Sequence, residues 1–283
     1  MTTRIGKGVV MESEQFEIFM FSNVGNSRAN QEDNALIGKE VYLSELEVNE
    51  LSDTRQTGRK SRFLSKRDPV FVAVSDGMGG HSRGEVASLM TVQYLSDKYH
   101  EIIDLALQRE QGIQEEIKLL NQKVVSVAKS TPDCKGMGAT LCGVVGKQGR
   151  YLGFNVGDSR LYQYSAGALK QLSKDHTEGQ RLVDLNLLTE SELLNFPRRK
   201  NIYKYIGRSG DLIADVFRIS NCVSGSVLLL CSDGLTDALS DKELEMILSG
   251  EECIREKGDK MIEHALSRNP GCGDNITVVL LQF

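Results

Sequence analysis

Two apolar runs in this chain end in the same tripeptide: Phe71-Val-Ala-Val leads into Ser75-Asp76-Gly77, and Val227-Leu-Leu-Leu-Cys leads into Ser232-Asp233-Gly234. Taken singly, Asp-Gly is a turn signal. At the exits of two strand-like runs it also places carboxylates where little water can solvate them, so each needs a cation, a hydrogen-bond network or a raised pKa. Further acids stand in similar contexts: Glu32 and Asp33 after the N-terminal apolar run, Asp158 after Tyr151 to Val156, and Asp274 just before Ile276 to Leu281. Carboxylates brought together repel, and a hard divalent cation removes that repulsion. With no Cys/His set at zinc spacing, the donors favour oxygen-ligated Mg²⁺ or Mn²⁺. Two such ions close together can activate water at neutral pH and clamp the oxygens of an in-line displacement at phosphorus, so the acidic set points to phosphoryl chemistry.

Strands must carry these acids to one place. Apolar runs of strand length recur at both ends of the sequence with helical periodicity between them, which predicts an α+β architecture instead of a regularly alternating βαβ fold. The expected strands are Phe16 to Ser22, Val70 to Ser75, Ala139 to Val145, Arg150 to Val156, Arg160 to Tyr164, Ser226 to Ser232 and Asn275 to Phe283. Ser82 with Glu85 forms a capping-box signature, and Ala87, Met90 and Tyr94 then recur at helical spacing. Further helices are expected from Ile113 to Ala128, closed by Pro132, and from Glu252 to Ser267, closed by Asn269 and Pro270. The polar stretch Lys39 to Asp68, with Arg59, Lys60, Arg62, Lys66 and Arg67, reads as a surface hairpin or loop insertion. Asp175 to Asp215 reads as a mobile excursion carrying short helical pieces.

The chain has 283 residues, enough for one large domain, and its 40% hydrophobic and 26% charged content with 27 Gly and 4 Pro excludes a disordered or fibrous protein. A net charge of −5 supplies no global basic field for nucleic acid or an anionic membrane. No apolar stretch approaches membrane-span length, and Glu12, Glu14 and Glu17 do not suit a secretory signal, so a cytoplasmic location is expected. Cys134, Cys142, Cys222, Cys231, Cys253 and Cys272 form no CxxC pair and read as reduced, mostly buried thiols. Ser159 in Gly157-Asp-Ser-Arg-Leu161 lacks the second Gly of a nucleophile elbow, and Gly143 to Lys147 lacks P-loop spacing.

The ordered set Arg28-Ala-Asn-Gln31-Glu32-Asp33, Asp76-Gly-Met-Gly-Gly80-His81, Gly138-Ala-Thr140, Gly157-Asp158-Ser-Arg160, Ser232-Asp233-Gly-Leu235 and Gly273-Asp274-Asn275-Ile-Thr277 resembles the metal-dependent protein phosphatase family of the protein phosphatase 2C type. The compact length and Asp175-His176-Thr177 resemble its bacterial, stand-alone members. The resemblance implies a four-layer sandwich of two antiparallel β-sheets flanked by helix pairs, in a single catalytic domain over 1–283, with a flap subdomain at about 175–215. It further implies that Asp76 bridges two Mg²⁺ or Mn²⁺ ions, that the Gly77 carbonyl completes one sphere, and that Asp233 and Asp274 hold the second ion, with Glu32 and Asp33 acting directly or through water. Asp158 with Asp233 would hold a weaker third ion facing the flap. Arg28 would grip the substrate phosphate and His81 would protonate the leaving alcohol.

The implied activity is hydrolysis of phosphoserine and phosphothreonine in proteins by a metal-bridging water, opposing a serine/threonine kinase in bacterial signalling. A monomer is expected, with no nucleic-acid or membrane partner. Gln31 stands where Asn is commoner in the family. Each residue also has a plainer reading. Arg28 is otherwise a surface charge, His81 a loop histidine, and Asp158 a residue that pairs with Arg160 or caps the turn; for His176 and Thr177 a structural and a functional role stand level. Two other classes remain open, a non-catalytic phosphoprotein binder and a bimetal phosphoesterase for small molecules.

Overall fold

A computed structural model describes residues 15–42, 57–79, 83–268 and 273–283. Strands β1 (Gln15–Asn23), β2 (Asn34–Ile37), β3 (Glu40–Tyr42), β4 (Thr57–Ser65), β5 (Val70–Ser75) and β6 (Gly77–Met78) precede helices α1 (Gly84–Asp97), α2 (Tyr99–Gln108) and α3 (Gln111–Ser130). Then come β7 (Gly138–Ala139), β8 (Leu141–Lys147), β9 (Arg150–Val156), β10 (Arg160–Ser165) and β11 (Ala168–Gln171), followed by the short helices α4 (Glu178–Asp184) and α5 (Glu190–Leu193). The chain continues through β12 (Asp215–Ile219), β13 (Val227–Cys231), α6 (Asp233–Ala238), α7 (Asp241–Ser249), α8 (Ile254–Ser267) and β14 (Ile276–Gln282).

Two six-stranded antiparallel sheets result, ordered β11-β10-β13-β14-β1-β4 and β12-β9-β8-β5-β2-β3. Both central strand sets are buried on both faces, which is why they read as unbroken apolar runs. Leu228 and Leu230 of β13, Val279 and Leu281 of β14 and Ile18 and Met20 of β1 meet Val70, Val72, Val74 and Val144 of the facing sheet. On the opposite faces, Leu229, Cys231, Val278 and Leu280 pack on α6, α7 and α8 through Leu235, Leu244, Leu248 and Met261. Phe71, Ala73 and Phe154 pack on α1 and α3 through Ala87, Ile113, Ile117, Leu120 and Val124. In α3 those last four positions recur at i, i+4, i+7 and i+11, a single stripe aimed at the sheet. The fold is thus the expected α+β sandwich of two antiparallel sheets between helical layers.

Several local expectations change. The run at Ala139 to Val145 breaks at Thr140 into β7 and β8, and β2, β3, β4, β11, β12, α2, α6 and α7 were not foreseen. The Lys39 to Asp68 stretch, expected as a surface hairpin or loop insertion, supplies two edge strands instead, β3 paired with β2 and β4 paired with β1. Residues 43–56 lie outside the described residues, but β4 pairs with β1 along its full length, from Gln15↔Ser65 to Asn23↔Thr57. Its basic, polar sequence is that of an edge strand. Arg59 reaches Asp259 at 3.3 Å and lies over the Phe21 ring, and Arg62 bonds Glu40 at 3.0 Å. The expected cap Ser82 lies outside the described residues, and α1 starts after Arg83, a left-handed N-cap at φ 61° that makes no side-chain cap bond. Cys134, Cys142 and Cys231 are buried free thiols, Cys222 is half-buried and Cys253 exposed, while Cys272 lies outside the described residues. No helix among the described residues is long and apolar enough to cross a membrane.

The β8–β9 pairing generates a stability prediction. A Cβ at Gly146 would stand 2.1 Å from the Arg150 carbonyl oxygen, which the ladder cannot move aside, whereas a Cβ at Gly58 in β4 meets nothing within 4 Å. Gly146→Ala is expected to cost about 1–3 kcal/mol by overpacking, while Gly58→Ala stays near neutral or gains slightly. Thermal unfolding of the two variants side by side checks this, and equal Tm values would contradict it.

Candidate metal-binding active site

Antiparallel pairing sends alternate strand ends to the same edge, and the acidic positions all fall on that edge. Asn34, just after Asp33, pairs with Ser75, just before Asp76. Leu141 pairs with Val156, two residues before Asp158, and Ile276, two residues after Asp274, pairs with Asn23. Asp233 leaves β13 beside the same end of β14, where Cys231 faces Val278.

Uncharged donors hold the backbone of this edge. Asn275 Nδ2 donates to the carbonyls of Val24 (2.9 Å) and Asn30 (3.0 Å), and its Oδ1 accepts from Glu32 N–H at 2.7 Å, so one side chain fixes the loop that carries Arg28 and Glu32. Ser232 Oγ donates to Asp33 Oδ2 at 2.7 Å and accepts from Thr277 N–H at 2.9 Å. Gln31 Nε2 donates to Ser22 Oγ at 2.6 Å, so the unusual Gln is integrated into the network. Thr140 is the counterpart across the sandwich: its Oγ1 accepts from Asp76 N–H at 2.9 Å, its N–H donates to the Asp76 carbonyl at 2.8 Å, and Ser159 Oγ lies 2.6 Å from its hydroxyl.

The glycines of the two Ser-Asp-Gly segments are required by crowding, not by turn geometry. A Cβ at Gly77 would sit 2.3 Å from the Gly84 carbonyl oxygen and 2.7 Å from that of Glu32, and one at Gly234 would sit 2.0 Å from the Asn275 carbonyl oxygen. Neither has a positive φ. Asp233 begins α6, so the second Asp-Gly is a helix start where a tight turn was the plainer reading.

The electrostatics follow from enclosing like charges. Burial, then the charges of Asp33, Asp233, Asp158 and Asp274, raise the Asp76 carboxyl well above its ordinary range. Burial pushes Asp33 up to about 7 despite the hydroxyl donors Ser232 and Thr277. Burial and the charges of Asp233 and Asp175 push Asp158 to about 8, and burial with Asp237 and Asp274 pushes Asp233 to about 6. Burial also raises Glu32. Asp33 Oδ1 and Asp233 Oδ1 are buried with no hydrogen-bond partner. Among the described residues no three acidic, imidazole or thiol groups already form a closed ion cage; the carboxylates interact at longer range. Orphaned anionic oxygens beside mutually repelling carboxylates are the donor set a hard divalent cation satisfies, and in that respect the residues fit Mg²⁺ or Mn²⁺.

Arg28 lies at the rim, half-exposed, with Nε and Nη2 on the two Asp274 oxygens at 2.8 and 2.7 Å, and it also feels Glu32 and Asp76. His81 lies outside the described residues. Asp158 does not pair with Arg160, whose guanidinium holds Asp175 through Nε (3.0 Å) and Nη2 (2.7 Å). Thr177 caps α4 by accepting from Gln180 N–H, and His176 is buried against Gly157. The positioning roles of Asn275 and Thr140 carry no sequence signal beyond their place in the motifs and a polar residue in an apolar strand context. Asp215, which contacts His176, had none.

The family model described as Protein phosphatase 2C matches residues 60–268. A serine/threonine phosphatase stp of Listeria monocytogenes is 37% identical over 222 residues, spanning 78% of this chain and 87% of the relative. The serine/threonine protein phosphatase PstP of Mycobacterium tuberculosis is 33% identical over 236 residues, 80% of this chain and 44% of its own. Among solved structures, the Streptococcus agalactiae (S. agalactiae) serine/threonine phosphatase superposes with a TM-score of 0.77 at 27% identity, covering 94% of this chain and 99% of that one. With the acidic edge, the two-sheet sandwich and these matches together, the chain belongs to the protein phosphatase 2C family of serine/threonine phosphatases.

Proposed function

We propose that the chain hydrolyses phosphoserine and phosphothreonine in proteins with Mg²⁺ or Mn²⁺ held by Asp76, the Gly77 carbonyl, Asp233 and Asp274, with Glu32 and Asp33 in support and Asp158 holding a weaker third ion. The observation that carries this reading is the set of buried, mutually repelling carboxylates with orphaned oxygens on Asp33 and Asp233. Bound divalent ions supply an activated water and offset the phosphate charge. The chain's own residues then do the rest. Arg28 exchanges its bidentate contact with Asp274 for the substrate phosphate, a task that suits its planar fork. His81 delivers a proton to the serine or threonine oxygen as it leaves. The segment from Asp175 to Asp215 acts as the flap beside the site. A single-domain monomer working in the cytoplasm against a serine/threonine kinase completes the reading.

Three outcomes test it. Turnover of a phosphothreonine peptide is expected to require added Mn²⁺ or Mg²⁺ and to vanish with a chelator, while nucleotides and phosphosugars turn over poorly; Asp76→Ala should remain folded and lose nearly all activity. Wild-type rates from Asp76→Ala, or full activity after exhaustive metal removal, would refute the mechanism.

Arg28→Ala should raise the phosphopeptide KM more than it lowers kcat, because its contact is made with the bound phosphate before reaction. A loss confined to kcat would move the contact to the transition state.

The third concerns pH. An unfolded aspartate titrates at about 4, whereas Asp233, Asp33 and Asp158 titrate at about 6, 7 and 8 in the fold. Over that interval the folded chain binds more protons than the unfolded one, so the stability of the metal-free protein falls as pH rises from about 4 to about 8. Added Mn²⁺ should therefore raise Tm more at pH 8 than at pH 5, since it binds the deprotonated carboxylates. Equal shifts at both values would count against metal binding by these groups.

A further inference from the structure

The excursion between β11 and β12 is joined to the acidic edge at His176, which is 2% exposed. His176 N–H donates to the Gly157 carbonyl at 2.9 Å, and the His176 carbonyl accepts from Tyr203 N–H at 2.9 Å. In the opposite sense, Gly157 N–H donates to the ring Nδ1 at 2.9 Å. An Nδ1 that accepts carries no proton, which puts the neutral ring's proton on Nε2. Nε2 lies 3.2 Å from Asp215 Oδ2, at the far end of the excursion, and Asp215 Oδ1 takes Lys204 Nζ at 2.7 Å. His176 and Lys204 hold the Asp215 carboxyl at about 2 against the rise that burial alone would bring.

Gly157 sets the direction in which Asp158 leaves β9. Its φ is +110°, and a Cβ there would meet Thr140 Cβ at 2.7 Å. A glycine has wide conformational freedom, so its conformer is chosen by what its amide and carbonyl bond. Here His176 bonds both groups; Asn155 Nδ2 also donates to the carbonyl at 3.2 Å, so the amide is the group that depends on His176 alone, while Thr140 and Ser159 secure the other side of the turn. Without the ring acceptor, a buried N–H would be orphaned, and the least costly relief is rotation of the turn that carries Asp158.

We infer that His176 is a positioning residue: through the Gly157 amide it fixes the Asp158 carboxylate relative to the base of the flap. The inference rests on the proposed working role of Asp158.

Two substitutions separate the contacts. In His176→Asn the amide oxygen can take the place of Nδ1 and keep the Gly157 contact. In His176→Gln the amide reaches toward Asp215 and the Gly157 acceptor is lost. The readouts are kcat and KM for a phosphothreonine peptide, the Mn²⁺ concentration for half-maximal rate, and hydrogen exchange of the Gly157 amide by NMR without metal. His176→Gln is expected to lower kcat by about tenfold with the Mn²⁺ requirement raised, to leave the peptide KM within about twofold, and to expose the Gly157 amide to exchange. His176→Asn should stay near wild type in all of these. Gly157 protection unchanged in His176→Gln, or equal impairment of both variants, would overturn the inference and leave His176 as packing. Asp158→Ala is measured in parallel. If it is slow while His176→Gln is normal, only the positioning role falls; if it turns over like wild type, the assignment of Asp158 falls first and this inference with it.

Discussion

Like charges held together at the edge of a dry sandwich are the constraint to which the rest of this structure answers. Each acid is anchored to a strand end by main chain, so repulsion cannot be relieved by drifting apart. The positions around them are accordingly filled by neutral hydrogen-bonding side chains that are themselves buried: Ser232, Thr277, Thr140, Ser159 and Asn275. These residues add no charge of their own to a region that already has too much of one sign. They hold the backbone in place and leave oxygens of Asp33 and Asp233 without a proton donor. The edge is therefore costly for the metal-free chain in proportion to its readiness for a cation.

Legibility in the sequence followed burial and chemistry. Strands covered on both faces, such as β5, β13 and β14, were readable because an unbroken apolar run has few other uses. β4 was not, because an edge strand that carries Arg59, Lys60 and Arg62 reads as a surface hairpin or loop until its partner β1 is known. The four-residue β2 and three-residue β3 are too short for any period to register. The acids stood out as polar groups in apolar surroundings. Their supporters did not, since a threonine or asparagine near a strand end is unremarkable until the atom it bonds is identified.

The glycines after Asp76 and Asp233 are fixed by packing between distant segments. Gly77 and Gly234 follow aspartate and so mimic turn signals, yet both have ordinary backbone angles and owe their identity to a carbonyl pressed against the space where a Cβ would be. Gly77 lets the start of α1 approach β6, and Gly234 lets α6 start against the Asn275 main chain. Close approach of main chains from distant parts of the sequence is invisible to any local pattern.

The order of strands also governs assembly. β14 lies between β1 and β13, pairing Glu17 with Gln282 along one side and Val227 with the same Gln282 along the other. During synthesis β1 is made before β14, and its edge toward β14 stays unpaired until that distant segment has been made. Closing that pair spans almost the whole sequence, so loop-closure entropy is spent before the central contacts form. A chain of this phosphatase in which β14 has not yet been made therefore holds Asp33 but cannot bring Asp274 to it, and the acidic edge is completed only by insertion of β14 between β1 and β13.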